Sequence, residues 1–168
     1  MAASDVVVRP VREEEHRRVG ELLFEAYQSV GGEPGWYLER MRETTKRAGA
    51  VPVLVAVDAR DAILGTVTYV PGPGTPYSDV EREDEAGIRA FAVAPEARGR
   101  GIGRLLVLAV IERARAEGRR GIAIFTRPRM TAAHALYESV GFVRAPEQDE
   151  MFAPDEWLLA YRLRFDEG

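Results

Sequence analysis

The chain has 168 residues and no cysteine, and its 23 cations and 27 anions give a formal net charge of −4. This length suits one domain, so we expect residues 1–168 to form a single domain. The lack of cysteine excludes disulfides and thiolate metal sites, and the slight negative charge argues against binding nucleic acid through excess Lys and Arg. No metal site is expected, because His16 and His134 lie far apart in the sequence.

The sequence also predicts the cellular location of the protein. The N-terminal sequence MAASDVVVRP has neither the basic block nor the apolar block of a signal peptide. The longest apolar run, residues 105–111, is far too short to span a bilayer. We therefore expect a cytoplasmic protein that has no membrane partner.

The first part of the chain alternates short apolar runs with helical periodicity. A strand is predicted over residues 6–9, followed by a helix over residues 13–30, where apolar side chains recur every three or four positions. A weaker helix is predicted over residues 36–47. Residues 51–57 and 63–70 then predict two strands, and the short polar segment between them predicts a hairpin.

The second part predicts a strand–helix–strand unit followed by a helix and two further strands. The predicted elements are a strand at 88–93, a helix at 102–117, a strand at 121–126, a helix at 131–140, a strand after Gly141 and Phe142, and a last strand at 157–165. This mixed order predicts an α/β (α+β) fold. Its strand–helix–strand unit should be a parallel, right-handed crossover.

Charged residues are distributed unevenly along the second part. Residues 79–85 contain five acids and one arginine, whereas residues 98–120 contain seven arginines and two acids. The acidic run follows a segment rich in proline and glycine, so it is predicted to lie in a loop. Two interpretations of that loop remain: a solvated surface, or one wall of a site that accepts a cation.

The most informative segment is the glycine-rich stretch between the strand at 88–93 and the following helix. Glycine permits positive φ and close approach of a ligand, and a helix N-terminus carries unpaired N–H groups with partial positive charge. Together these features predict a phosphate site. The spacing Gly99-x-Gly101-x-Gly103 differs from the Gly-x-Gly-x-x-Gly of dinucleotide sites, and no acid follows at about 20 residues. We therefore reject NAD as the ligand.

Two ordered motifs resemble those of the GNAT family of N-acetyltransferases. Arg98-x-x-Gly101-x-Gly103 resembles the loop with which that family binds the pyrophosphate of coenzyme A. The segment 133–142 resembles the family's later A-x-x-L-Y-E-x-x-G-F motif. The resemblance is strong over residues 86–143. It implies a mixed, mostly antiparallel central sheet with a splayed parallel strand pair and flanking helices.

The resemblance also implies an activity and a cofactor. The expected reaction is transfer of an acetyl group from acetyl-CoA to a primary amine, by direct attack in a ternary complex. A backbone N–H at the position of Val93 would bond the thioester carbonyl, and one such donor is typically worth ~3 kcal/mol in the transition state. The residues implied for cofactor binding are Phe91, Ala92, Val93, Arg98, Gly99, Arg100, Gly101, Ile102, Gly103, Arg104, Ala133 and Tyr137.

The first catalytic residue that the resemblance implies is a tyrosine. Tyr137 matches the family tyrosine that protonates the departing thiolate, and a phenol is a reasonable acid for that step. The alternative is that Tyr137 packs in the core. We expect Leu136 and Val140 to form the core stripe of this helix.

The general base is harder to assign, because the chain departs from the family pattern. Many members carry a glutamate near the start of the motif strand, and that position is Gly87 here. Asp84 and Glu85 are the nearest carboxylates, and Glu85 shares strand parity with Gly87. Glu85, directly or through water, is therefore predicted as the base. The alternative is that this acidic run is a solvated loop.

The acceptor is predicted only as a class, a small-molecule or peptide amine. By resemblance it enters near residues 26–47, which include Trp36 and Tyr37, and near the acidic loop, a lining that suits a cation. Two other functions remain open, a non-catalytic acyl-CoA sensor and a transferase of longer acyl groups. Met130 supports the sensor, since many relatives have asparagine there. The segment 157–163 either meets a second copy in a homodimer or belongs to the core.

Overall fold

The computed structural model describes residues 5–165. Its strands are β1 (Val7–Pro10), β2 (Val53–Val57), β3 (Ile63–Val70), β4 (Glu85–Val93), β5 (Gly121–Thr126), β6 (Val143–Arg144), β7 (Glu150–Ala153) and β8 (Glu156–Arg164). Its helices are α1 (His16–Val30), α2 (Gly35–Met41), α3 (Thr44–Ala48), α4 (Ile102–Ala116) and α5 (Thr131–Val140). Within the described residues, each helix is too short or too polar to cross a membrane.

The strands hydrogen-bond in the order β1-β2-β3-β4-β5-β8-β6, and β7 pairs with β8. Strands β1 and β2, β2 and β3, and β5 and β8 pair antiparallel, and so do β6 and β7 with β8. Strands β4 and β5 are parallel, with Glu85, Ala86 and Gly87 beside Gly121, Ile122 and Ala123. This mostly antiparallel sheet with one parallel pair and flanking helices confirms the predicted fold class.

Residues 5–69, together with Arg89–Val110, form one compact unit. Strands β2 and β3 are buried along their whole length, as expected for continuous apolar runs. Helix α1 buries Val19, Leu22 and Leu23 on one face, which is the periodicity that predicted it. The amphipathic and apolar patterns therefore account for the core of this unit.

Among the described residues, 70–88 and 111–165 form a second compact unit. Its core includes Ile122 of β5, which is fully buried, as the predicted buried strand requires. Gly141 ends α5 with φ of +110°, a left-handed conformation that glycine adopts at little cost. The chain then passes directly into Phe142, which is buried.

Several elements differ from the sequence prediction, and three of the differences have a clear physical reason. The helix expected at 36–47 is two short helices, α2 and α3, because the chain leaves helical geometry at Glu43, with ψ of +54°. Strand β4 starts at Glu85 rather than at residue 88, since pairing with β5 extends residues of low strand propensity. Strand β7 was missed, because most of its side chains are exposed and give no apolar alternation.

Candidate functional site

The loop between β4 and α4 has the backbone of an anion-binding turn. Gly99 and Gly101 both have φ of +77°, a conformation that side chains disfavour. A Cβ added at either glycine would meet no described atom within 4 Å, so the loop is open at both positions. Helix α4 begins directly afterwards at Ile102, and the first N–H groups of a helix lack partners within it. The loop therefore fits a pyrophosphate group.

Three arginines lie in the loop or in the first turn of α4, where the sequence predicts cofactor contacts. Arg98 and Arg104 are exposed, and Arg100 is half-buried. The N-terminal turn of α4 is held by apolar packing, since Ile102 is 1% exposed and Leu106 is fully buried. The guanidinium groups next to this packed turn can make charge-assisted hydrogen bonds to phosphate oxygens.

The strand that leads into the loop carries a local irregularity. Ala90 has φ of +46°, which is unfavourable for a residue with a side chain, and such strain is often found at functional sites. Beyond Ala90 the side chains of Phe91 and Val93 are partly exposed, while Ala92 is buried. The Phe91 N–H donates to the Tyr27 hydroxyl at 3.3 Å, and burial raises the pKa of Tyr27 above its ordinary value.

Tyr137 is the residue that α5 buries, with only 2% of its surface exposed. Its ring centroid lies 5.4 Å from that of Phe142 and 6.0 Å from that of Tyr161. Leu136 and Val140 are half-buried, so the expectation that they form the core stripe was wrong. The aromatic cluster fixes the orientation of the Tyr137 ring. Its role as the acid stays a prediction, and Ala133, one turn earlier, is half-buried.

The acidic run at 79–85 is ordered by two arginines of β8. Glu85 is fully buried, and its two oxygens lie 2.7 Å from Arg162 and 3.1 Å from Arg164. Arg164 also holds both oxygens of Asp84, at 2.9 and 2.8 Å, and this hydrogen bonding lowers the pKa of Asp84 to about 2. We call these residues, together with Glu81, the carboxylate cluster. The alternative of a solvated acidic loop was wrong for Glu81 and Glu85, which are buried.

The ion pairs of Glu85 bear on its predicted role as the general base. Besides the two arginines, Glu85 accepts the backbone N–H of Arg82 at 2.9 Å. These contacts occupy both of its oxygens. The assignment of Glu85 as the general base stays a prediction. Its contacts give Glu85 a structural role whether or not it is the base.

Glu81 is the other buried carboxylate of the run, and it was not predicted as a site residue. Its side chain is 8% exposed, and one of its oxygens accepts the Asp79 N–H at 2.8 Å. Burial, reinforced by the charge of Glu85, raises the pKa of Glu81 to about 7, although Arg162 acts in the opposite direction. No local sequence signal separates this acid from its neighbours, because its burial depends on distant residues.

A model of a known protein family matches most of the chain. A model described as "Acetyltransferase (GNAT) family" matches residues 16–142. The chain is 33% identical over 100 residues to the L-methionine sulfoximine/L-methionine sulfone acetyltransferase of Pseudomonas aeruginosa, covering 60% of this chain and 55% of the relative. It is 32% identical over 98 residues to the mycothiol acetyltransferase of Renibacterium salmoninarum, covering 56% of this chain and 27% of the relative. The chain thus spans between about a quarter and about half of these relatives.

Solved structures extend the likeness over nearly the whole chain. A GCN5-related N-acetyltransferase from Kribbella flavida superimposes with a TM-score of 0.74 at 25% identity, covering 98% of this chain and all of that one. The structure of yncA from Salmonella typhimurium with its cofactor acetyl-CoA has a TM-score of 0.67 at 18% identity, covering 97% of this chain and 95% of that one. The second likeness concerns the fold alone.

Proposed function

Because the chain belongs to the GNAT family of acetyltransferases, we propose that it transfers an acetyl group from acetyl-CoA to a primary amine. The observation that carries this proposal is the open loop with left-handed Gly99 and Gly101, which lies on the family motif at the start of α4. In this proposal, the described residues act as one acetyltransferase domain, and the amine attacks directly in a ternary complex.

The proposed cofactor contacts follow the geometry of the loop and strand. Backbone N–H groups of residues 99–104 hold the pyrophosphate, and Arg98, Arg100 and Arg104 add charge. Residues 91–93 line the pantetheine arm and acetyl group beside the splayed strand pair, and Ala133 and Tyr137 contribute from α5. Acetyl-CoA supplies the activated acetyl group, and the chain's own residues orient it.

Two groups of the chain act on the reacting atoms in this proposal. The Val93 N–H donates to the thioester carbonyl and stabilises the negative charge that develops on its oxygen. The Tyr137 hydroxyl donates its proton to the thiolate that leaves. A positioned general acid contributes roughly 10²–10⁴-fold to rate, so Tyr137→Phe should lower kcat by about 100-fold. The matched control, Tyr77→Phe, should leave kcat unchanged.

We propose a small polar amine as the acceptor, with a peptide amine as the second candidate. The name of the Pseudomonas relative suggests L-methionine sulfone as the first compound to test. An aromatic patch supports a cationic acceptor: Trp36 is 61% exposed, and its ring meets the Tyr37 ring edge-on at 5.8 Å. A cytoplasmic location and a homodimer both stay predictions.

The test is release of coenzyme A thiol from acetyl-CoA, with L-methionine sulfone and a panel of primary amines and peptides as acceptors. We expect thiol and acetylated amine to form in equal amounts with at least one acceptor. If no amine releases thiol while acetyl-CoA still raises the melting temperature, the chain is a sensor and the enzyme proposal fails. Faster turnover of longer acyl-CoA donors would identify a different acyltransferase.

A further inference from the structure

Strand β4 contains one glycine, and a carboxylate occupies the space that its side chain would take. A Cβ built on Gly87 would overlap Oε2 of Glu81 and lie 2.6 Å from Cδ and 3.0 Å from Cγ of that residue. Gly87 does not have a positive φ, so the backbone does not require glycine at this position. What the glycine provides is room for the Glu81 side chain.

The backbone around Glu81 is anchored, so its carboxylate is held in place over the strand. The Asp79 N–H donates to Oε1 of Glu81 at 2.8 Å. One residue before Glu81, the Val80 carbonyl accepts a hydrogen bond from Arg162 at 2.9 Å. Arg162 is itself 8% exposed and belongs to β8. Glu81 is therefore positioned by the sheet as well as by its own loop.

The charged groups around Glu81 leave it able to exchange a proton near neutral pH. Two charged side chains that act on it are Glu85 on β4, which raises its pKa, and Arg162 on β8, which lowers it. Arg162 directs its nitrogens to Glu85, to the Val80 carbonyl and to Gln148. Burial raises the pKa of Glu81 to about 7, which suits a group that must both accept and release a proton.

We propose that Glu81 is the general base of the reaction and occupies the position that a side chain at residue 87 would fill. This inference rests on the proposed acetyltransferase function and deepens it. Glu81 takes one proton from the acceptor ammonium, and the nitrogen lone pair then forms the bond to the acetyl carbon. The carbon–sulfur bond breaks, and the sulfur takes its proton from Tyr137. The nitrogen loses its second proton as the amide forms, this proton restores the Tyr137 hydroxyl, and Glu81 returns its proton to the solvent. Glu85 is bound by Arg162 and Arg164 and holds Arg162 in place.

The assignment predicts an acid limb in the pH profile. Below pH 7 Glu81 is protonated in the free enzyme and accepts no proton, so kcat/KM should fall as the pH decreases through about 7. Glu81→Gln should lower kcat/KM by about 100-fold, within the range for general-base catalysis, and should remove this limb. Acetyl-CoA should still raise the melting temperature of this variant.

The experiment measures thiol release from acetyl-CoA between pH 5.5 and 9, with the amine that gives the fastest wild-type rate. Glu112→Gln is the matched control, because Glu112 is an exposed glutamate on α4. We expect it to keep the wild-type rate and profile. A wild-type acid limb in Glu81→Gln would overturn the assignment. If the wild-type protein acetylates no amine, the proposed acetyltransferase function fails. The wild-type assay alone detects this outcome, so it is distinct from a failure of the Glu81 assignment.

Two further variants decide the question if Glu81→Gln does not fold. Gly87→Ala keeps Glu81 but displaces its carboxylate, so it should also lower kcat/KM and alter the acid limb. The pair Glu81→Ala with Gly87→Glu returns a carboxylate to the same space from the strand, and it should recover at least a tenth of the wild-type rate. An unchanged rate and profile in Gly87→Ala would overturn the proposal.

Discussion

The glycine loop at 98–104 and the carboxylate cluster encode their chemistry in opposite ways. Everything that suits the loop to a phosphate lies within seven consecutive residues: two left-handed glycines, three arginines and a helix start. The cluster is assembled from distant segments, since Glu85 and Arg162 lie 77 positions apart. A site built from local structure can be predicted from sequence, whereas a site built by strand pairing needs the fold.

The two regions also use charge differently. The cations of the loop include Arg98 and Arg104, which are exposed and which the proposed function assigns to cofactor phosphates. In the cluster the cations bind carboxylates of the chain itself, since buried Arg162 and exposed Arg164 both contact Glu85. Mutations should therefore affect ligand binding in the loop and folding at the ion pairs of the cluster.

The largest expected effect comes from the buried ion pair of the cluster. Glu85→Ala leaves Arg162 buried at 8% exposure without its carboxylate partner. Removing one partner of a buried pair typically costs about 3–5 kcal/mol, so we expect a loss of that size in the free energy of unfolding. Urea denaturation at pH 7 measures it.

The control for this variant is Glu112→Ala, an exposed site where a change within about 0.5 kcal/mol is expected. Replacing both partners, by Glu85→Leu with Arg162→Met, should be less destabilising than Glu85→Ala alone. A loss below about 1 kcal/mol in Glu85→Ala would show that the ion pair does not hold the cluster together, contrary to the distinction between the two regions.

Much of the fold was predictable because local patterns and tertiary structure agree there. Strand β3, strand β5 and helix α5 have the predicted bounds, since their apolar runs end at proline, glycine or polar turns. The fold class and the family motif were confirmed in the same way. These features depend on residues that are neighbours in sequence.

The rest depended on contacts that the sequence does not display. Glu81, Asp84 and Glu85 look alike in a run of acids, yet the pKa of Glu81 is raised by burial and that of Asp84 is lowered by Arg164. Strand parity favoured Glu85 as the base, and only the structure shows its two arginine partners. The exposed strand β7 was missed for a similar reason, because its pairing with β8 defines it.

An intermediate effect is expected in the glycine loop. Gly101 has φ of +77° and Gly118, at the end of α4, has φ of +78°, and neither has a described atom within 4 Å of an added Cβ. Alanine at either position should therefore cost about 1–2 kcal/mol of stability through the same backbone strain. Only Gly101→Ala should weaken acetyl-CoA binding, by about tenfold or more, because only that Cβ enters the proposed phosphate site.

Calorimetric titration with acetyl-CoA, together with thermal unfolding of both variants, measures the two effects separately. Equal affinities in Gly101→Ala and Gly118→Ala would contradict the assignment of the loop, even if both proteins lose stability. If Gly101→Ala loses more affinity at low salt than at high salt, the assignment of the loop gains further support, since phosphate contacts weaken as salt screens them.

The smallest expected effect tests whether the exposed edge of the cluster contributes to stability. Arg164 lowers the pKa of Asp84 to about 2, below its ordinary value of 3.8, so the ion pair stabilises the fold above pH 3.8 and loses that contribution as the pH falls toward 2. Because Asp84 is 43% exposed, solvent screening limits the contribution to about 0.5 kcal/mol. Asp84→Asn should therefore differ from wild type by about this amount at pH 7, by less at pH 3, and by less still in 1 M salt. Urea denaturation under these three conditions measures it, and a loss at pH 7 as large as that of Glu85→Ala would mean that the exposed pair, and not the buried one, holds the cluster.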